Sequence, residues 1–191
     1  MHDVDGTCKR GPVRDPAVFS AAGDGLLRPA SLAALSGLLL NDHVFKSLAA
    51  GTSWSVVTGK LSDVCGVLFL PVLLVAGVEL LLSLGKRFAG PSTPVAVVAA
   101  VAVAVAFTLM KTVPWCGALY ADAMGLLQWQ FFAVAAFVKG HVVPVVRPVA
   151  HVVDPTDVIA VPFAFYVVLQ ARQRRWRARP DERPDDPVGV V

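Results

Sequence analysis

Residues 64–84 read VCGVLFLPVLLVAGVELLLSL, an apolar stretch whose single charged side chain is Glu79. About 20 apolar residues in a helix match the hydrocarbon core of a bilayer, which is roughly 30 Å thick at 1.5 Å of helical rise per residue. Residues 94–110, PVAVVAAVAVAVAFTLM, have a similar length and carry no charge. Both stretches therefore predict transmembrane helices.

The composition of the whole chain agrees with a membrane protein. Of its 191 residues, 55% are hydrophobic and 16% are charged, and the mean hydropathy is +0.64. Soluble domains carry about 25% charged residues. Because the length is that of one domain, we expect a single all-α bundle, a polytopic membrane protein.

Two shorter apolar stretches complete a predicted bundle of about four transmembrane helices. The first follows Arg28-Pro29, and the last follows residues 154–157 (DPTD), which have the residue types of a helix N-cap. Ser62-Asp63 is the predicted N-cap of the second helix. The predicted membrane domain, residues 26–171, has spans at residues 27–45, 64–84, 94–112 and 156–171.

The segments outside these spans are polar or mixed. Residues 1–25 predict a disordered tail, because charged residues and glycines leave too little to bury, and they lack the apolar stretch of a cleavable signal. Residues 115–153 mix aromatic, apolar and polar side chains, which predicts a segment in the outer membrane interface. A fifth span in this segment is the alternative.

Lysine and arginine mark the cytoplasmic side of membrane proteins. With four spans, twelve of the 17 basic residues fall on the side of the two tails and five on the other side. We therefore expect both termini in the cytoplasm. The basic tail, residues 172–191, is expected to bind anionic lipid, and Gln170 and Arg172 to reach the interface from the end of a short last span.

In this topology the outer helix ends gather most of the polar side chains. One interpretation is helix capping alone, by Ser-Asp and Thr-Asp pairs. Another is a binding site for an anionic head group of a lipid or an envelope precursor, made by free helix-start amides with Lys60 and Lys111, while Asp63 and Asp157 position a partner. The candidate ligand-binding residues are Asn41, Asp42, Lys46, Lys60, Ser62, Lys111, Tyr120, Asp154 and Thr156.

Three further functions are open alternatives. His43 as an acid or base, with Asp63 and Asp157, predicts a hydrolase or transferase at the membrane surface. Glu79 together with Pro71 predicts a gated transport path, since ionisable groups in spans are functional by default. The simpler explanation is that the Glu79 side chain extends to the nearby cytoplasmic interface. A structural subunit with a protein partner is the third. The sequence does not decide whether the protein is an enzyme.

The residue patterns predict no metal, no cofactor and no nucleic acid. The histidines lack metal-binding spacings such as HxxxH and HExxH. The three cysteines form no CxxC pair and no even set. The expected partners are therefore membrane lipids.

Four motifs resemble a group of small, uncharacterised bacterial multi-span membrane proteins. They are NDHVFK (an NDHxxK motif) at residues 41–46, TGKLSD at 58–63, KTVP at 111–114 and DPTD at 154–157, and the resemblance covers residues 35–165. The resemblance implies a protein of the bacterial cell (inner) membrane. It implies no reaction.

Overall fold

The computed structural model describes residues 21–177. Within this range the chain is all-helical apart from its connections and contains no β-strand. The all-α fold predicted from the sequence is thus confirmed. Most of the predicted N-terminal tail, and the basic tail beyond residue 177, lie outside the described residues.

Most of the helices are separated by short connections; the long one, residues 139–154, follows α5. A π-helical turn, Asn41–Phe45, joins the first two helices, and a 3-10 helix, Pro155–Phe165, leads into the last. The α-helices are α1 (Pro29–Leu40), α2 (Lys46–Ala49), α3 (Trp54–Leu84), α4 (Thr93–Thr112), α5 (Pro114–Val138) and α6 (Tyr166–Arg177).

Among the described residues, three helices, α3, α4 and α5, are long and apolar enough to cross a membrane. Residues 29–49 and 155–177 are also continuous helical paths, but each is divided between helix types. Leucine, valine and phenylalanine side chains are exposed over much of the surface, as lipid-facing residues are. Length and composition therefore mark this chain as a membrane protein.

The core lies where α3, α4 and residues 155–177 meet. α4 contributes alanines at helical spacing. Small side chains of this kind let neighbouring helix backbones approach closely in a membrane. Valines of α3 and small side chains of the last segment pack against them. The two buried clusters contain Val67, Val72, Val75, Ala96, Ala99, Ala100, Val103, Ala104, Phe107, Ala160, Ala164, Val167 and Ala171.

The start of α3 differs from the prediction. The helix begins at Trp54, ten residues before the predicted span at 64, and its N-cap is Ser53. The predicted N-cap role of Ser62-Asp63 is therefore wrong, since both residues lie in the third turn of α3. The polar side chains that suggested a loop are accommodated because neighbouring elements bind them. Asp154 does cap the last helical segment, accepting a hydrogen bond from the Thr156 N–H.

α5 and the extended residues 141–154, which we call the arm, form a hairpin. The arm runs antiparallel to α5: the Trp129 indole N–H donates to Pro144 O at 2.5 Å, and the Val149 N–H donates to Ala121 O at 3.0 Å. The buried residues of α5 are Gly117, Ala121 and Gly125, spaced four apart. They form one small-residue face against which the arm packs.

Gly125→Ala is expected to lift the arm from α5. A Cβ at Gly125 would collide with the Arg147 carbonyl oxygen, and such overpacking costs about 1–3 kcal/mol. Hydrogen exchange of residues 141–154 should become faster. Gly66→Ala in α3 is the control, because a Cβ there meets nothing within 4 Å. Equal exchange in both variants would contradict the close packing.

Candidate functional site

Lys111 lies at the centre of a buried group of charges where α3, α4 and the 3-10 helix meet. Its Nζ is 2.9 Å from Asp63 Oδ2 and 2.7 Å from Asp157 Oδ2. Asp157 also accepts a hydrogen bond at 2.9 Å from Lys60 Nζ. We call these four residues, with Asp154, the ion-pair cluster.

The helices direct these side chains toward one point. Lys111 is in the last turn of α4 and Asp157 in the first turn of the 3-10 helix, the helix ends that favour a cation and an anion respectively. Phe107, one turn before Lys111, places its ring centroid 5.6 Å from Nζ, a cation–π distance. The buried ammonium of Lys111 therefore contacts both the carboxylates and the ring of Phe107.

The outer rim of the cluster is partly exposed. Lys60 Nζ donates to Thr156 Oγ1 at 2.6 Å and lies 3.8 Å from Asp154 Oδ2. Asp154 Oδ1 accepts hydrogen bonds from the Thr156 hydroxyl and N–H at 2.7 and 2.9 Å. These two bonds hold the pKa of Asp154 below its usual range. Asp154 is therefore a carboxylate at neutral pH.

A second group of polar side chains, linked by hydrogen bonds, joins the π-helical turn to α3. The Asn41 amide donates to Thr58 O and to Ser62 Oγ, each at 2.6 Å, and Ser62 donates to Asp42 Oδ1 at 2.6 Å. Lys46 pairs with Asp42 at 2.7 Å. Asn41 is fully buried, and its Oδ1 has no hydrogen-bond partner within residues 21–177. These hydrogen bonds hold the end of α1 next to the ion-pair cluster.

The structure brings together most of the predicted site residues but leaves two apart. His43 is exposed and makes no hydrogen bond or ion pair in the described part of the chain. Tyr120 packs edge-on against His151, with ring centroids 5.2 Å apart. The residues joined in the two groups are Asn41, Asp42, Lys46, Lys60, Ser62, Asp63, Lys111, Asp154, Thr156 and Asp157.

The prediction that two helix starts offer free backbone amides is wrong. Asp63 lies inside α3, where the backbone N–H groups are used within the helix. At the 3-10 helix the Thr156 N–H donates to the Asp154 side chain and the Asp157 N–H to the Asp154 carbonyl. Any affinity of this region for a phosphate must therefore come from the lysines.

Glu79 is not an exposed side chain that extends toward the interface, as the simpler explanation predicted, but is buried in an ion pair with Arg174 of α6. The guanidinium meets both carboxylate oxygens, at 2.8 and 2.9 Å. The Gly23 N–H also donates to Glu79, at 2.9 Å. The predicted lipid-anchoring role is thus wrong for Arg174, while Arg172 and Arg175 are exposed.

Gln170 extends this network, which we call the inner network. It was expected at the interface but is buried, donating to Gly25 O at 2.9 Å and to Ser31 Oγ at 3.1 Å. Residues 21–25 of the predicted disordered tail therefore pack on the bundle. Gln170 and Arg174 share a helix face with the buried Val167 and Ala171, a spacing that identifies a buried face from sequence.

Apolar side chains fill the core between the ion-pair cluster and the inner network. A polar path from Asp63 to Glu79, which the transport hypothesis requires, does not match this packing. Residues 21–177 contain no group of three His, Cys, Asp or Glu residues placed to hold a metal ion. The contacts within the cluster are ammonium–carboxylate ion pairs.

No protein-family model, curated protein or solved structure matches this chain.

Proposed function

We propose that this chain is a multi-pass protein of the bacterial cell membrane whose ion-pair cluster binds the head group of a lipid or an envelope precursor. The distribution of lysine and arginine supports cytoplasmic termini and a cluster on the outer face. One observation carries the head-group proposal. The partly exposed ammonium of Lys60 lies at the rim between Asp157 and the Thr156 hydroxyl.

Lys60 is the ammonium that a ligand can reach. Its side chain is 34% exposed, whereas that of Lys111 is 9% exposed. When Lys60 turns toward a ligand phosphate, Asp157 keeps its ion pair with Lys111. No buried carboxylate is then left without a cation. The Thr156 hydroxyl accepts from Lys60 and donates its own proton to Asp154, so Lys60 is the donor that is offered to a ligand.

The charge of the cluster selects among head groups. Two lysines and the three carboxylates of Asp63, Asp154 and Asp157 sum to 2 − 3 = −1. A head group with phosphate alone meets net repulsion there. A head group that also carries an ammonium places it against Asp154, whose side chain is 41% exposed. We therefore expect phosphoethanolamine to bind more tightly than phosphoglycerol.

Lys60→Gln is expected to weaken phosphatidylethanolamine binding by about 10-fold or more, since hydrogen bonds to charged groups contribute about 1.5–3 kcal/mol. The measurement is native mass spectrometry of the purified full chain, titrated with short-chain phosphatidylethanolamine and phosphatidylglycerol. Asp154→Asn should selectively lower the preference for phosphatidylethanolamine. Lys46→Gln, which removes an exposed lysine of the neighbouring pair, is the matched control. Unchanged binding in Lys60→Gln and Asp154→Asn would refute the proposal.

A further inference from the structure

The hairpin of α5 and the arm leaves a large apolar surface uncovered. Only the small-residue face of α5 is buried, and the arm covers it. Toward its end, α5 carries exposed aromatic and branched side chains. Those at least half exposed toward the end of α5 are Phe131, Phe132, Val134, Phe137 and Val138. Contiguous surfaces of this kind mark contact with a membrane or a partner.

The arm argues against a transmembrane position for this surface. It follows α5 from Trp129 back to Gly117, which is about 18 Å at 1.5 Å per residue. If α5 spanned the membrane, the arm would cross the hydrocarbon beside it. Among the described residues, two backbone N–H groups of the arm bind α5: that of His141 donates to Ala136 O and that of Val149 to Ala121 O. Extended backbone with unpaired N–H and C=O groups is not tolerated against lipid.

The base of the hairpin is fixed beside the ion-pair cluster. His151 Nε2 lies 3.0 Å from the carbonyl of Met110, the residue before Lys111. Asp154, a member of the cluster, ends the arm. The hairpin thus leaves the bundle at the membrane face where the cluster lies, and its hydrated arm has to stay near that face.

We propose that the hairpin lies in the membrane interface on the side of the ion-pair cluster, with the exposed surface of α5 in contact with phospholipid. Aromatic side chains such as Trp115 and Trp129 are enriched at this depth, and amphipathic helices bury one side there while polar groups stay hydrated. The chain then crosses the membrane four times, through residues 29–49, α3, α4 and residues 155–177. This inference is independent of the head-group proposal.

Single-cysteine labelling tests the topology in the full chain. In a background without Cys8, Cys65 and Cys116, Lys139→Cys probes the hairpin tip, and sealed membrane vesicles are treated with a membrane-impermeant maleimide. Ser53→Cys, before α3, and Arg87→Cys, after it, report the two faces. All three parent side chains are exposed. Lys139→Cys should label from the same face as Ser53→Cys; labelling from the Arg87→Cys face would overturn the proposal.

A photoreactive benzoylphenylalanine in place of Phe137 tests the lipid contact. Phe137 is 78% exposed, so the probe does not disturb the core. Illumination in native membranes should give a phospholipid adduct, detected as a mass shift of the full chain. A cross-linked dimer in place of the lipid adduct would assign this surface to a second copy of the chain and overturn the proposal, as would an adduct with another protein.

Discussion

Lys111→Met is expected to destabilise the bundle by about 3–5 kcal/mol, the usual cost of removing one partner of a buried ion pair. The substitution keeps the length and apolar stem of the side chain but removes the ammonium between Asp63 and Asp157. The buried Asp157 carboxylate and the half-buried Asp63 carboxylate then lie close together, and of these two Lys60 contacts Asp157 alone. The free energy of unfolding in detergent, measured by titration with sodium dodecyl sulfate, reports the loss.

Lys46→Met is the matched control, because its partner Asp42 is exposed and four residues away on the same helical path. Such pairs contribute about 0.3–0.5 kcal/mol. Combining Lys111→Met with Asp63→Asn and Asp157→Asn should recover part of the stability, since the amides carry no charge. If Lys111→Met behaves like Lys46→Met, the buried ion pairs do not stabilise the fold.

Arg174→Met is expected to have an effect of similar size at the other end of the bundle, again about 3–5 kcal/mol. It leaves the buried Glu79 carboxylate with the Gly23 N–H and without its guanidinium. Because Arg174 also donates to Ala21 O, hydrogen exchange of residues 21–25 should become faster. The same SDS titration and hydrogen exchange by mass spectrometry measure the two effects.

The double variant Glu79→Gln with Arg174→Met separates charge from packing. A neutral pair in this position is expected to be more stable than Arg174→Met alone, because the buried charge of Glu79 is removed together with its partner. Asp24, which also pairs with Arg174, is partly exposed. Arg175→Met removes an exposed arginine from the same helix and should change stability by less than about 0.5 kcal/mol. A double variant no more stable than Arg174→Met would show that the guanidinium acts through its packing.

The predicted spans in α3 and α4 came from length and apolarity, which local sequence determines. The start of α3 could not be predicted in this way, because Ser62-Asp63 has the residue types both of an N-cap and of a polar helix face. Which of the two applies depends on Lys111, 48 residues further along the chain. Sequence spacing alone does not reveal a partner at that distance.

The sequence predicted which residues belong to the candidate site better than it predicted how they are arranged. Four polar motifs indicated one membrane face, and the structure joins most of their side chains. The histidine of NDHVFK suggested acid–base chemistry, yet the buried residue of that motif is Asn41. The inner network was not predicted from the sequence. Arg174 lies in a run of arginines whose charge predicts solvent or lipid contact, and only its position on the Val167–Ala171 face distinguishes it.

The exposed length of α3 also determines which bilayer suits this protein. Asp63 and Glu79 are 16 residues apart on α3, which is about 24 Å along the helix axis. Exposed leucines continue past Glu79 to Leu84, which extends the lipid-facing length to about 31 Å. A typical hydrocarbon layer is roughly 30 Å thick. The bundle therefore matches an average bilayer without thinning or strong tilting, and the protein encloses the Glu79–Arg174 ion pair within the hydrocarbon depth.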